Sequence, residues 1–195
     1  MELTTLFSSI LIYHRRTERS LEGSWKYIFI CSVSVSFIFI GILFLGLAGE
    51  EAEIGELFYT NLSANAEFLN SFWLKAAFLF LFTGYTAKAG LVPMYTAGID
   101  AKDKAPSPAS AIFSSALMNV GFVGIFRVYG IITKTSIAEW ASSILIISGI
   151  LSILIASSYM IRVKNIKRMF AYSSIEHMGI IMLGMAMGGT GYFGA

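Results

Sequence analysis

Lys88 has the clearest potential for chemistry, because it lies in an apolar stretch long enough to cross a lipid bilayer. A charged side chain at the centre of a membrane helix costs about 2.5–3.5 kcal/mol on insertion scales, so a lysine there is expected to have a function. Gly84, Gly90 and Pro93 surround it, and they predict a broken helix over residues 84–93. Gain and loss of a proton is the chemistry that this pattern favours.

Other polar residues also lie inside apolar stretches, and these are Glu2, Asn119, Glu176 and His177. At about 1.5 Å per helical residue, Lys88, Asn119 and His177 fall about 10–12 Å from one end of their helices, with Glu2 slightly deeper. A Glu–Lys pair whose separation changes can load and release a proton, histidine titrates near neutral pH, and asparagine can hold water. The shared depth predicts a relay parallel to the membrane plane. Glu176 points about 100° away from His177 on a helix, so we favour His177 of these two.

Each of these residues also has a purely structural interpretation. Lys88 has a long stem that can reach the membrane interface, and Glu2 can be an interfacial carboxylate. His177 can form a hydrogen bond within a helix bundle. Asn119 lies four residues after Ser115, and such a pair can hold two membrane helices together. Both interpretations are compatible with the sequence, and the arrangement of the helices decides between them.

The composition is that of a polytopic membrane protein. Hydrophobic residues make up 56% of the chain, charged residues make up 13%, and the mean hydropathy is +0.71, whereas soluble domains contain about 25% charged residues. The net charge of +2 is too small to indicate nucleic acid as a partner. Cys31 is the single cysteine, which excludes an internal disulfide and a multi-cysteine metal site. We predict no cofactor, no metal and no catalytic centre within the chain.

Six apolar stretches predict an all-α bundle of transmembrane helices, in a single domain over residues 1–195. They cover residues 2–13, 25–48, 72–95, 111–133, 141–161 and 169–188. The middle four are long enough to cross the hydrocarbon core. The first is too short to span, and the last has spanning length but is rich in glycine. We therefore expect the chain to be a fragment of a longer membrane subunit, with its first helix incomplete.

The loops between these stretches alternate in charge. The first, third and fifth loops hold most of the basic residues, namely Arg15, Arg16, Arg19, Lys102, Lys104, Arg162, Lys164, Lys167 and Arg168. The second and fourth loops hold one basic residue, Lys134. The positive-inside rule therefore predicts that the odd loops face the cytoplasm.

Three runs of sequence resemble the antiporter-like, proton-conducting membrane subunits of respiratory complex I and its relatives. They are TAKAGLVPMYTAGIDAKDKAPSPASAIFSSALMNVGFVGIFR (residues 86–127), NIKRMFAYSSIEHMGII (residues 165–181) and ELTTLFSSILIYHRRTERSLEGSWKYIFICSV (residues 2–33). The third run is most similar to the hydrogenase-4 component F branch, which is similar to formate hydrogenlyase membrane subunits. Relatives usually read His-x-Trp-Leu-Pro-Asp-Ala-His after the lysine helix. In this chain the run is Tyr95-Thr-Ala-Gly-Ile-Asp-Ala-Lys, which keeps Asp100 but has lost the His, the Trp and the Pro.

The resemblance implies a hydrated proton path that includes Glu2, Lys88 and His177. It places Lys88 in a broken helix, and Asn119 where many relatives have a second lysine. It also implies further helices on both sides of the chain and a location in a prokaryotic inner membrane. The expected partners are the lipid bilayer and the membrane and hydrophilic subunits of a respiratory or hydrogenase complex.

Three functions are compatible with these features. The favoured one is a proton-translocating subunit of a redox-driven complex, of the hydrogenase or NADH:quinone oxidoreductase type. A subunit of a Mrp-type cation/proton antiporter shares the same motifs. A membrane scaffold that holds a hydrophilic enzyme and transports nothing is the third, because Asn119 replaces a charge. In the first case the chain belongs to an oxidoreductase complex without a catalytic centre of its own.

Overall fold

The structure is a computed structural model, and it describes residues 2–50 and 58–188. Its helices are α1 (Glu2–Tyr13), α2 (Glu18–Glu50), α3 (Tyr59–Ala64), α4 (Ser71–Ala89), α5 (Thr96–Lys104), α6 (Ser107–Ile112), α7 (Met118–Ile132), α8 (Ala138–Met160) and α9 (Ile166–Ala186). A 3₁₀ turn covers Ala66–Phe68, and a π-helical turn, Phe113–Leu117, joins α6 to α7. The described residues contain no strand, so the predicted all-α class is confirmed.

Three helical stretches are long and apolar enough to cross a membrane, namely α2, the run from α6 through α7, and α8. α1 is apolar but has only 12 residues, fewer than a membrane-spanning helix needs. α4 and α9 have 19 and 21 residues, which is long enough to span. Charged residues such as Lys75, Lys88 and Arg168 lower the mean hydropathy of these two helices. α5 has nine residues, too few to span, and it connects α4 to α6.

The predicted break follows Lys88 directly. α4 ends at Ala89, and Gly90 has a left-handed backbone conformation with φ 73°, which glycine adopts without strain. Pro93 follows a cis peptide bond with Val92, and α5 begins a few residues later. The chain therefore leaves the α4 axis two residues after the lysine and continues along a different path.

Glycines allow α2 and α7 to pack closely against α4. A Cβ at Gly84 would lie 2.7 Å from the carbonyl oxygen of Ser34, and a Cβ at Gly121 would lie 2.5 Å from the backbone nitrogen of Ala89. Ser34 also donates a hydrogen bond of 3.0 Å from its hydroxyl to the Gly84 carbonyl. Gly84 thus lies within α4 rather than in the break, and it serves the close backbone approach that small residues permit between membrane helices.

The basic loops meet at one end of the bundle. There Asp100 and Asp103 of α5 lie within 4.0 Å of the cationic groups of Lys26, Lys104 and Arg168. Elements on either side of the first, third and fifth loops contribute to this group. We call this end of the bundle the basic end.

The second and fourth loops meet at the opposite end of the bundle. Lys134 donates a hydrogen bond of 2.7 Å to the hydroxyl of Ser63, and the hydroxyls of Ser71 and Ser136 are 3.2 Å apart. Odd and even loops therefore lie at opposite ends, as expected of helices that cross a membrane alternately.

Candidate functional site

Lys88 is enclosed by helices, and 6% of its surface is exposed. Its Nζ donates hydrogen bonds to Thr5 Oγ1 at 2.8 Å and to the Tyr27 hydroxyl at 3.1 Å. The same nitrogen lies 5.0 Å from the centre of the Tyr27 ring, within the range of a cation–π interaction. Because Thr5 belongs to α1 and Tyr27 to α2, three helices hold the ammonium group. The side chain ends inside the protein and does not extend to the bundle surface.

The hydrogen-bond acceptors of Lys88 are neutral hydroxyls. Among residues 2–50 and 58–188, no carboxylate forms an ion pair with it. Glu2, the expected acidic partner, lies three residues before Thr5 on α1 and has an exposed side chain. The direct Glu2–Lys88 pair suggested by depth alone is therefore not formed in this arrangement. A lysine this deeply buried normally has an acidic partner, so Lys88 is unusual.

Asn119 and His177 lie together, as their depth predicted. They line one pocket of about 160 Å³ between α7 and α9, together with Ser114 and Ser174. The side chains of Asn119 and His177 are exposed at the surface of the described bundle. We call this the His177 pocket. Met118 lines both this pocket and a smaller cavity beside Lys88, so the two spaces adjoin.

Lys102 is a second buried lysine. By sequence alone it falls in the third loop. It is 3% exposed, and its Nζ lies 2.6 Å from Ser174 Oγ and 2.7 Å from Met118 Sδ. Burial lowers the pKa of Lys102, on the connecting helix α5, to about 7 from an ordinary 10.5. Burial therefore favours the neutral amine of Lys102 more than water does.

The sequence did contain a signal for Lys102. Gly98, Ala101, Lys102 and Ala105 are spaced as one face of a helix. The first three of these residues line the cavity beside Lys88. A face of small residues around one lysine indicates close packing, whereas a solvated loop would need no such pattern.

Glu176 lies apart from the His177 pocket. Its carboxylate accepts a hydrogen bond of 3.4 Å from Ser157 on α8, and the side chain is half-buried. The two neighbours thus face different surroundings, as the helical rotation between them predicts. Across the part of the chain that the structure describes, no group of three or more His, Cys, Asp or Glu side chains is placed to bind a metal ion.

The π-helical turn Phe113–Leu117 lies beside both spaces. Phe113 and Leu117 line the cavity at Lys88, while Ser114 lines the His177 pocket. Single π-helical turns within α-helices are frequent at functional sites. Lys88, Lys102, Asn119 and His177 are therefore arranged around one local irregularity of the helix bundle.

Comparison with known proteins places this geometry in context. A family model described as "NADH:quinone oxidoreductase/Mrp antiporter, TM" matches residues 1–195. The hydrogenase-4 component F homolog of Methylacidiphilum infernorum is 36% identical over 194 residues, which cover 97% of this chain and 40% of that protein. Hydrogenase-4 component B of Escherichia coli is 31% identical over 191 residues, covering 96% of this chain and 27% of that protein. NADH-quinone oxidoreductase subunit N 2 of Chloroherpeton thalassium is 30% identical over 199 residues, covering 95% and 37%.

Solved structures share the fold. A chain of the membrane-bound sulfane sulfur reductase, an archaeal respiratory membrane complex, superimposes with a TM-score of 0.86 at 27% identity, over 95% of this chain and 37% of that one. A chain of respiratory complex I from Thermus thermophilus superimposes with a TM-score of 0.73 at 21% identity, over 95% and 39%, which shows likeness of fold. In each comparison the chain spans two fifths or less of the longer protein.

Proposed function

The chain belongs to the NADH:quinone oxidoreductase/Mrp antiporter membrane family, and from that premise we propose that it forms part of a proton-translocating subunit of a redox-driven complex. The observation that carries the proposal is the Lys88 ammonium group, buried between α1, α2 and α4 with neutral hydrogen-bond acceptors. Its relay partners in the proposal are Glu2, Asn119 and His177, with Glu176 as a peripheral carboxylate. A charged group is costly to keep among lipid-spanning helices, so its presence there indicates a function.

The surroundings of Lys88 are suited to passing a proton. The hydroxyls of Thr5 and Tyr27 accept hydrogen bonds from Nζ and hold it in place, and each hydroxyl can both donate and accept. The adjoining cavity measures about 20 Å³, enough for about one water molecule. A proton that leaves Lys88 therefore has a neighbouring cavity to enter, in which Tyr27 and Lys102 are polar lining residues.

The His177 pocket gives the relay a direction. It adjoins the Lys88 cavity at Met118, so the route runs sideways through the bundle. His177 supplies an imidazole that can both accept and donate a proton, and Asn119 holds water or orients a neighbour without carrying charge. Glu2, in the first turn of α1 and exposed, is placed to exchange protons with groups beyond the described helices.

Electron transfer is assigned to partner subunits. The relatives are named as components of hydrogenases and of NADH-quinone oxidoreductases, and the solved structures belong to respiratory complexes. We propose the same kind of assembly here, in a prokaryotic inner membrane with the basic end toward the cytoplasm. Redox turnover in the partners would drive the protonation changes of Lys88.

The test compares Lys88→Met with Lys75→Met in the full subunit, assembled in its complex and reconstituted in vesicles. Lys75 lies on the same helix, 5.6 Å from the centre of the Trp140 ring, and is a matched control. We expect Lys88→Met to abolish acidification driven by redox turnover while assembly is preserved, and Lys75→Met to translocate protons normally. Normal translocation by Lys88→Met would remove Lys88 from the mechanism.

A Mrp-type antiporter subunit is the second candidate, since the matching family model covers both kinds of protein. Proton exchange that depends on sodium or potassium, in vesicles without a redox substrate, would select it. The scaffold interpretation rests on the neutral Asn119. Normal translocation after joint neutralisation of Glu2, Lys88 and His177 would select the scaffold.

A further inference from the structure

We propose that Lys102 is a relay residue, which carries the proton between Lys88 and the His177 pocket. This inference rests on the proton-translocating function proposed above. It adds a group from the connecting helix α5 to a route otherwise built from membrane-spanning helices. Lys102 thereby supplies an amine in contact with Met118 and Ser174, which line the same pocket as the uncharged Asn119.

Lys102 is in contact with both spaces that the route must join. Together with Lys88 it lines the cavity of about 20 Å³. Its Nζ also contacts Met118 and Ser174, and both of these residues line the His177 pocket. The Lys102 side chain therefore extends from the Lys88 cavity to the wall of the His177 pocket.

Ion pairing does not account for the burial of Lys102. In the described ranges, 2–50 and 58–188, no carboxylate forms an ion pair with it. Carboxylates are available on the same helix, because Asp103 pairs with Lys104 at 2.9 Å and with Arg168 at 3.8 Å. Lys102 instead turns away from these groups and into the bundle. A buried cation without a counter-charge is costly, which indicates a use other than stability.

The proton transfer balances without electrons. The Lys88 ammonium gives one proton to a water in the shared cavity, that water gives one to the neutral Lys102 amine, and Lys88 becomes an amine. The Lys102 ammonium then gives its proton to the Ser174 hydroxyl, which passes its own proton to a water in the His177 pocket, and Lys102 returns to the neutral amine. The total charge of the two lysines is unchanged in the first transfer, so no separate counter-ion has to move into the cavity.

The experiment measures protons translocated per redox turnover by the reconstituted complex with Lys102→Met, Lys102→His or Lys104→Met. Methionine removes the titratable group at similar size, whereas histidine restores one that titrates near neutral pH. Lys104 is the matched control, a neighbouring lysine on α5 that is paired with Asp103. We expect loss of translocation in Lys102→Met, substantial recovery in Lys102→His, and normal translocation in Lys104→Met.

The outcomes separate the two proposals. Blocked translocation in Lys88→Met with normal translocation in Lys102→Met overturns the role of Lys102 and leaves the proposed function intact. Normal translocation in both variants overturns the role of Lys88 in the proposed function as well as that of Lys102. Should Lys102→Met fail to assemble, Lys102→His is compared with Lys102→Gln, both polar. Translocation by the histidine variant alone supports the relay, and equal translocation by the two overturns it.

Discussion

One methyl group at Gly121 is expected to push α7 away from α4 and to disturb the Lys88 site. The added Cβ would lie 2.5 Å from the Ala89 nitrogen and 2.9 Å from the carbonyl carbon of Lys88. Ordinary contacts of this kind begin at 3.4 Å, so the helices must separate locally by about 1 Å. Both contacted atoms belong to the backbone and cannot rotate out of the way.

The cost of this separation can be bounded from the structure. Overpacking a well-packed site costs about 1–3 kcal/mol. The Lys88–Thr5 hydrogen bond is 2.8 Å long, and a shift of about 1 Å in α4 would take it beyond hydrogen-bonding range. We therefore expect Gly121→Ala to lower both the stability of the subunit and its rate of proton translocation.

The assay is the midpoint of thermal unfolding of the full subunit in detergent, followed by tryptophan fluorescence, with translocation measured in vesicles. Gly98→Ala is the control, because a Cβ there has no neighbouring atom within 4 Å. We expect a lower midpoint for Gly121→Ala and an unchanged midpoint for Gly98→Ala. Equal midpoints for the two variants would refute the close α4–α7 packing on which the Lys88 geometry depends.

Three further predictions concern the Lys88 site and the two ends of the bundle. Tyr27→Phe removes the 3.1 Å hydrogen bond to Lys88 and keeps the ring. Because a hydrogen bond to a charged group contributes about 1.5–3 kcal/mol, the number of protons translocated per redox turnover should fall. An unchanged number of protons per turnover would contradict this prediction. Asp103→Asn removes a buried charge from its ion pairs and should destabilise the subunit by about 1–3 kcal/mol, seen as a lower unfolding midpoint; an equal midpoint would argue against it. Lys164→Cys should react with an impermeant thiol reagent from the cytoplasmic side and Lys134→Cys from the other side, and labelling of both from one side would contradict the topology.

The sequence predicted those features that depend on position along a helix. The apolar stretches predicted helices at the six places where the structure has them, and glycine and proline predicted the break after Lys88. Helical rise placed Asn119 and His177 at one depth, and the structure brings them into one pocket. These inferences work because the rise per residue is constant, so that a residue number converts directly into depth.

The sequence did not predict which way side chains point around a helix, nor the path of the chain beyond the break. Glu2 has an exposed side chain on α1, and a depth estimated from helical rise alone does not show whether such a side chain faces Lys88. Lys102 was placed in a solvated loop because charges near the ends of apolar segments usually lie in water. Lys102 is buried because α5 packs against α7 and α9 after the chain turns at Gly90. The direction of the chain after that turn depends on tertiary packing, which the local sequence does not specify.

The central claim is that Lys88 gains and loses a proton inside the protein. The most direct measurement is infrared difference spectroscopy of the complex with isotope-labelled lysine, recorded as redox turnover is triggered. If Lys88 changes its protonation, a lysine band appears in the difference spectra of the unmodified protein and of Lys75→Met. The same band is missing from the difference spectrum of Lys88→Met. An identical lysine difference band in Lys88→Met would show that another lysine changes its protonation, which would contradict the proposed role of Lys88.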